Sequence, residues 1–130
     1  MLKQISDNNG KLIAIINNST PDKTTFITDN DCTQQVGYIT HKKDTIIPRH
    51  YHKQIIRSVI GMTEVLYIID GKCLVDVYDN TQSLIESIEL KTGDLAVFTS
   101  GGHGFRMIED TKMLEIKHGP YIGLDERIRF

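Results

Sequence analysis

Histidine occurs five times in this 130-residue chain, and two of the five have a spacing that means something chemically. His50 and His52 stand two apart, so on an extended segment both imidazoles leave the backbone on the same side. Two convergent neutral imidazoles make half of a typical site for a divalent transition metal. Glu64 opens the next strand-like run and can add a carboxylate. His103, inside Gly101-Gly102-His103-Gly104, can add a third imidazole. Further along, the run 114–118 puts Glu115 and Lys117 on one face and Leu114, Ile116 and His118 on the other. Turned inward, the Glu/Lys face has the parts for proton abstraction beside a carbonyl, with the carboxylate as base and the ammonium holding a charged group. Turned outward, it is an ordinary solvated ion pair. Arg49, Lys53 and Arg57 surround the histidine pair with positive charge suited to a phosphate or carboxylate. Arg106, on the strand after His103, and Tyr121, in Gly119-Pro120-Tyr121-Ile122-Gly123, are further candidates for substrate contact.

The elements that must position these groups are short. Apolar or alternating runs at 12–16, 24–28, 36–40, 45–52, 64–69, 73–78, 83–90, 95–99, 105–108 and 113–118 are separated by turn-forming clusters such as Asn17–Asp22, Asp70-Gly71, Asp79-Asn80 and Thr92-Gly93-Asp94. No window keeps a 3.6-residue period over helical length; Ile55–Met62 is at most a short helical turn or an inward-packing loop. Strands with turns about every ten residues predict an all-β antiparallel sandwich or barrel. No repeat, low-complexity tract or change of composition marks a linker, so residues 1–130 read as one domain.

The balance of 15 Lys and Arg against 17 Asp and Glu gives a formal charge of -2, which argues against a general nucleic-acid binder. Cys32 and Cys73 are too few for a disulfide framework and form no CxxC motif, which suits a reduced intracellular setting. The only apolar run near the start, Leu12–Ile16, is too short for a signal-peptide core or a membrane span. The expectation is a cytoplasmic protein acting on a small molecule, with no nucleic-acid or membrane partner.

The order of these residues within an all-β pattern resembles the cupin superfamily. His50-Tyr51-His52 is similar to the histidine pair of the first cupin motif. Glu64 and Gly71, with VLYIID between them, match its glutamate-to-glycine interval, and Gly93-Asp94 through His103 is similar to the second motif. The resemblance covers about Thr45 to His118 and implies a jelly-roll barrel. It also implies that His50, His52, Glu64 and His103 bind one divalent metal; ligand type admits Mn, Fe, Co, Ni or Zn. The eleven residues between His52 and Glu64 exceed the family's usual spacer, implying an added loop or lid at the barrel mouth. The segments HYHK, EVLYIIDGK, GGHGF and GPYIG look like small stand-alone cupins of surface-polysaccharide and sugar-nucleotide pathways. The closing run MLEIKHGPYIGLDERIRF looks like cupin-type mannose-phosphate isomerase domains. A homodimer is expected, with strands from residues 1–40 available for it, the barrel motifs over 45–118 and a tail over 119–130.

The resemblance implies a metal-dependent isomerase or epimerase of carbohydrate metabolism, working through an enediol-like intermediate on a sugar phosphate or nucleotide sugar. Three other readings remain open. A metal-free nucleotide-sugar ketoisomerase would use Arg49, His50, His52 and Lys53. A non-haem iron dioxygenase would use the histidines as iron ligands. A sugar-binding module would have no turnover.

Overall fold

The structure, a computed structural model, describes residues 1–123 and 126–130. The chain divides into two compact units, one of Met1–Ser19 with Met62–Phe130 and one of Thr20–Gly61.

The first unit holds β1 (Leu2–Ser6), β2 (Leu12–Asn17), β5 (Glu64–Asp70), β6 (Lys72–Tyr78), β7 (Leu84–Lys91), β8 (Leu95–Phe98), β9 (Gly102–Met107) and β10 (Lys112–Lys117). They form a five-stranded sheet in the order β1-β2-β8-β5-β10 and a three-stranded sheet in the order β7-β6-β9. Every ladder is antiparallel. About 41% of the chain is strand, and no α-helix occurs among the described residues.

Alternation along the strands makes the core. Ala14 and Ile16 of β2, Leu66 and Ile68 of β5, and Ala96 and Phe98 of β8 meet Cys73, Val75 and Val77 of β6 and Leu90 of β7 between the sheets. Phe105 of β9 and Met113 of β10 pack against the same cluster. These placements fix which face of β9 and β10 points inward, because side chains two apart share a face. Central β2 is apolar on both faces and buried from Ile13 to Asn17, which is why its sequence reads as a continuous run rather than an alternation. At the β1/β7 side an ion pair between Lys3 and Glu86 joins the two sheets.

Several turns are set by glycine. Gly71, between β5 and β6, has φ +101°, and a Cβ there would strike the Asp110 carbonyl and Thr111. Gly101, just before β9, has φ +65° and lies against the Tyr78 carbonyl. Such φ values strain any residue with a Cβ.

In the second unit, β3 (Thr25–Phe26) and β4 (Gly37–Tyr38) form a short hairpin. The Phe26 ring lies over Gly37, where a Cβ would come within 2.8 Å of it. The Val36 N–H donates to Thr28 Oγ1 at 3.0 Å, and Gln35 Nε2 donates to the Asp29 and Cys32 carbonyls.

The sequence missed one strand and misjudged two segments. β1 has only Ile5 fully buried and carries a weak apolar signal. Residues 45–52 take no ladder partner: Pro48 lacks a donor, and Ile46 and Tyr51 are 84% and 90% exposed. The run expected over 105–108 begins earlier, for β9 already starts at Gly102 and His103 is a strand residue.

Candidate functional site

Three strands bring titratable groups, and a fourth an aromatic ring, to one end of the sandwich in the first unit. Glu64 is the first residue of β5, Phe98 the last of β8 and Lys117 the last of β10; in the ladders Glu64 pairs with Phe98 on one side and Lys117 on the other. Glu115 pairs with Leu66, one inward-facing step further into the sheet. His103, second in β9, approaches from the opposing sheet. All five side chains point between the sheets, because they share parity with the core residues Leu66, Ala96, Phe105 and Met113. The Glu115/Lys117 face is therefore the inward one.

His103 Nε2 lies 3.1 Å from Glu64 Oε2, and both side chains are largely buried, at 24% and 15% exposure. The Phe98 ring stacks on the imidazole with centroids 4.1 Å apart and planes 23° from parallel, and Phe105 meets it edge-on at 5.5 Å. Glu64 thus fixes one nitrogen of the ring, while the phenylalanines fix its plane. With Nε2–H donating to the carboxylate, a neutral His103 presents an unprotonated Nδ1. The pair has the form of a histidine base oriented by a carboxylate, which also stabilises the imidazolium that forms on proton uptake.

The two carboxyl groups are driven apart. The hydrogen bond from His103 holds Glu64 down at about 2, against the opposing effect of burial. Glu115 is pushed up from the usual carboxylate range, first by its hydrogen bond with Glu64 and then by burial and the Glu64 charge. A carboxyl–carboxyl hydrogen bond needs one proton, and these environments place it on Glu115. Lys117 Nζ lies 3.8 Å from Glu115 Oε2. The centre therefore combines a carboxylate-oriented imidazole, a carboxylic acid that keeps its proton longer than usual, and an ammonium group. Titratable pairs set apart in this way mark acid and base assignments.

The four residues implied as metal ligands by the cupin resemblance divide between the units. Glu64 and His103 are turned on each other in the first. In the second, the rings of His50 and His52 stand 5.4 Å apart, edge to face, and His50 Nδ1 lies 2.8 Å from the Pro48 carbonyl oxygen. That contact leaves Nε2 of His50 for a ligand, the arrangement seen when a carbonyl orients a metal-binding imidazole. The donor types fit a divalent transition metal. Among the described residues, no group of three or more His, Cys, Asp or Glu side chains is arranged to hold one.

Of the proposed substrate contacts, Arg49, Lys53 and Arg57 are exposed residues of the second unit. Arg106 is exposed on the face of β9 opposite His103. Tyr121, just after the cis Gly119–Pro120 bond, is 77% exposed. Two contributors went unrecognised in the sequence. Phe98 reads as core, and only the ladder register sets it beside Glu64. Arg127, in the closing tail, carries a charge that acts on Glu115; no spacing signal connects the two.

Among the described residues, no helix is long and apolar enough to cross a membrane. Comparison of the chain with protein-family models, with curated proteins and with solved structures finds no match to any of them.

Proposed function

We propose that this chain is a small cupin-like enzyme that moves a proton next to a carbonyl group, as a sugar isomerase or epimerase does, at the Glu64–His103–Glu115–Lys117 centre. The observation that carries this reading is the inward-facing pair of carboxyls with opposite pKa shifts, one orienting a stacked imidazole and the other retaining a proton. The antiparallel sandwich and the order of histidine and glutamate residues support the cupin-like assignment, and a carbohydrate substrate follows from the sequence resemblance.

In the reaction, His103 Nδ1 takes the proton from the carbon beside the substrate carbonyl, and the electron pair of the broken C–H bond forms the enediolate. Protonated Glu115 gives its proton to the developing oxyanion, and the Lys117 ammonium, 3.8 Å away, stabilises the carboxylate this leaves on Glu115. Glu64 holds the imidazolium in place. Delivery of the proton from His103 to the former carbonyl carbon, with Glu115 taking the hydroxyl proton from the oxygen on the carbon first deprotonated, completes an isomerisation with no net redox change.

A second reading keeps a divalent metal as cofactor, favoured by the His50 ring, whose Nδ1 faces the Pro48 carbonyl while its neighbour His52 stands alongside. A bound metal would supply Lewis-acid polarisation of the substrate oxygen. One experiment addresses both. Chelator-treated protein is incubated in heavy water with a panel of hexose phosphates and nucleotide-linked keto-sugars, and deuterium uptake beside the carbonyl is followed by NMR. The acid–base reading expects uptake without added metal, reduced about 100-fold or more in His103→Gln and Glu115→Gln. Uptake that appears only on adding Mn, Fe or Zn, and is lost in His50→Ala, transfers the reading to the metal enzyme. No uptake under either condition rejects both and leaves a binding module.

A further inference from the structure

Two apolar surfaces of this chain are left without cover, and they differ in charge. The first is the segment between Thr45 and Met62, which joins no ladder. Ile56 and Ile60 are 97% and 100% exposed, and Ile46, Ile47, Tyr51 and Ile55 also stand in solvent. Together these six residues leave roughly 900 Å² of accessible surface. That exceeds the largest apolar patch on an ordinary monomer and matches the ~800 Å² one partner gives a standard interface. Among them stand Arg49, Lys53 and Arg57, and no acidic residue.

The second surface is the outer face of the β5–β10 pair. Leu66, Ile68 and Met113 turn into the core, so Tyr67, Ile69, Leu114 and Ile116 turn outward, each 40–50% exposed. Leu114 lies opposite Tyr67 in the ladder, which joins the four into one patch. β10 closes its sheet: β5 pairs with it on one side, and among the described residues no strand pairs with the other. An unpaired edge of this kind is a template for a further strand. Exposed Asp70 and Asp110 stand at the Lys112 end of the pair. The unit to which it belongs, Met1–Ser19 with Met62–Phe130, has 13 Asp and Glu against 9 Lys and Arg, a net charge of -4.

We propose that the 46–60 arm of one copy docks along the β10 edge and outer face of a second copy, whose own arm returns the contact to make a two-fold dimer. A second copy is the occupant because every chain carries both surfaces, each unmatched, one basic and one on an acidic unit. Reciprocal docking covers both arms and both faces at once, as a closed self-complementary interface does. Residues 45–52 have the composition of a strand, and Pro48, which withholds a donor from a central strand, is tolerated in one added at an edge. An anionic lipid surface would match the arm but leave the β5–β10 face bare. The contact lies outside residues 1–40 and does not depend on the acid–base reading of the centre.

Sedimentation velocity of the whole chain over a concentration series tests this. The arm variant is Ile56→Glu with Ile60→Glu, and the face variant is Leu114→Glu with Ile116→Glu. Tyr67→Ser is a milder face variant, and Leu84→Glu, at an exposed position of β7, is the control. Far-ultraviolet circular dichroism establishes that each variant folds. The wild type sediments as a dimer, and the arm and face variants raise its dissociation constant about tenfold or more. Leu84→Glu leaves it unchanged, and added salt weakens the dimer by screening the arm's cations. An equal mixture of arm and face variants dimerises more tightly than either alone, because the heterodimer keeps one intact arm-on-face junction. A monomeric wild type, a dimer that both variants keep, or equal loss in Leu84→Glu overturns the proposal. So does a mixture that associates no better than its components, which places the arm on its own chain. A monomer that pellets with phosphatidylserine vesicles also overturns it and assigns the arm to a lipid surface.

Discussion

Replacing Glu64 by Gln keeps the shape of the side chain and its capacity to accept a hydrogen bond from His103, and removes only the charge. The consequence for stability is pH-dependent with a defined sign. Folding lowers this carboxyl from an ordinary 4.5 to about 2, chiefly through the His103 hydrogen bond. Its contribution is therefore fully present above about pH 4.5 and is lost as the pH falls through about 2. The full difference corresponds to about 3 kcal/mol at most. The side chain is 15% exposed and its burial opposes the ionised form, which reduces the contribution to about 1–2 kcal/mol. Urea unfolding of chelator-treated wild type and Glu64→Gln, followed by far-ultraviolet circular dichroism from pH 7 to pH 2, measures it. The wild type is the more stable by about 1–2 kcal/mol at pH 7, and the gap closes as the pH approaches 2. A gap that is absent at pH 7, or that stays constant down to pH 2, refutes the assignment of Glu64 as the ionised partner of His103.

Other substitutions test the frame around the centre. Glu115→Gln removes a carboxyl whose ionisation the site resists, so at pH 7 it leaves stability unchanged or raises it by about 0.5 kcal/mol in thermal unfolding; a clear loss contradicts the inward crowding of the two carboxyls. Gly71→Ala forces φ +101° on a residue whose Cβ meets the Asp110 carbonyl, and it costs about 2 kcal/mol or more by denaturant titration; a neutral result places the β5–β6 turn elsewhere. Ile68→Ala empties a fully buried position between the sheets and costs about 2–5 kcal/mol, against well under 1 kcal/mol for the 56%-exposed Leu84→Ala.

The all-β class was legible because the alternation of apolar and polar residues is strong in β6 and the turn chemistry is explicit at Asp70-Gly71, Asp79-Asn80 and Thr92-Gly93-Asp94. The Glu115/Lys117 pair was visible as a shared face of β10, but its direction was not. That direction is set by Met113, which packs into the core two residues earlier, and a single strand cannot reveal which of its faces meets the other sheet. The contact between Glu64 and His103 joins residues of two sheets, so no local spacing encodes it, and a metal-ligand resemblance gave the pair a different role. Residues 45–52 looked like a strand by composition alone; a ladder also needs a neighbouring edge and a donor at every position, and Pro48 withholds one. Phe98 was hidden because an aromatic residue at the end of an apolar strand is ordinary core until the register sets it beside an acid.

The central claim is that one end of the sandwich holds two carboxyls shifted in opposite directions, Glu64 held ionised by His103 and Glu115 pushed toward its protonated form. Carboxyl-carbon NMR titration of selectively labelled, metal-free protein, assigned with Glu64→Gln and Glu115→Gln, measures this directly. The account predicts that one glutamate titrates near 2 and is absent from Glu64→Gln spectra, while a second, absent from Glu115→Gln, titrates above the usual 4.5 and falls back toward it when Glu64 is replaced. Two glutamates titrating together near 4.5, each indifferent to loss of the other, would contradict it.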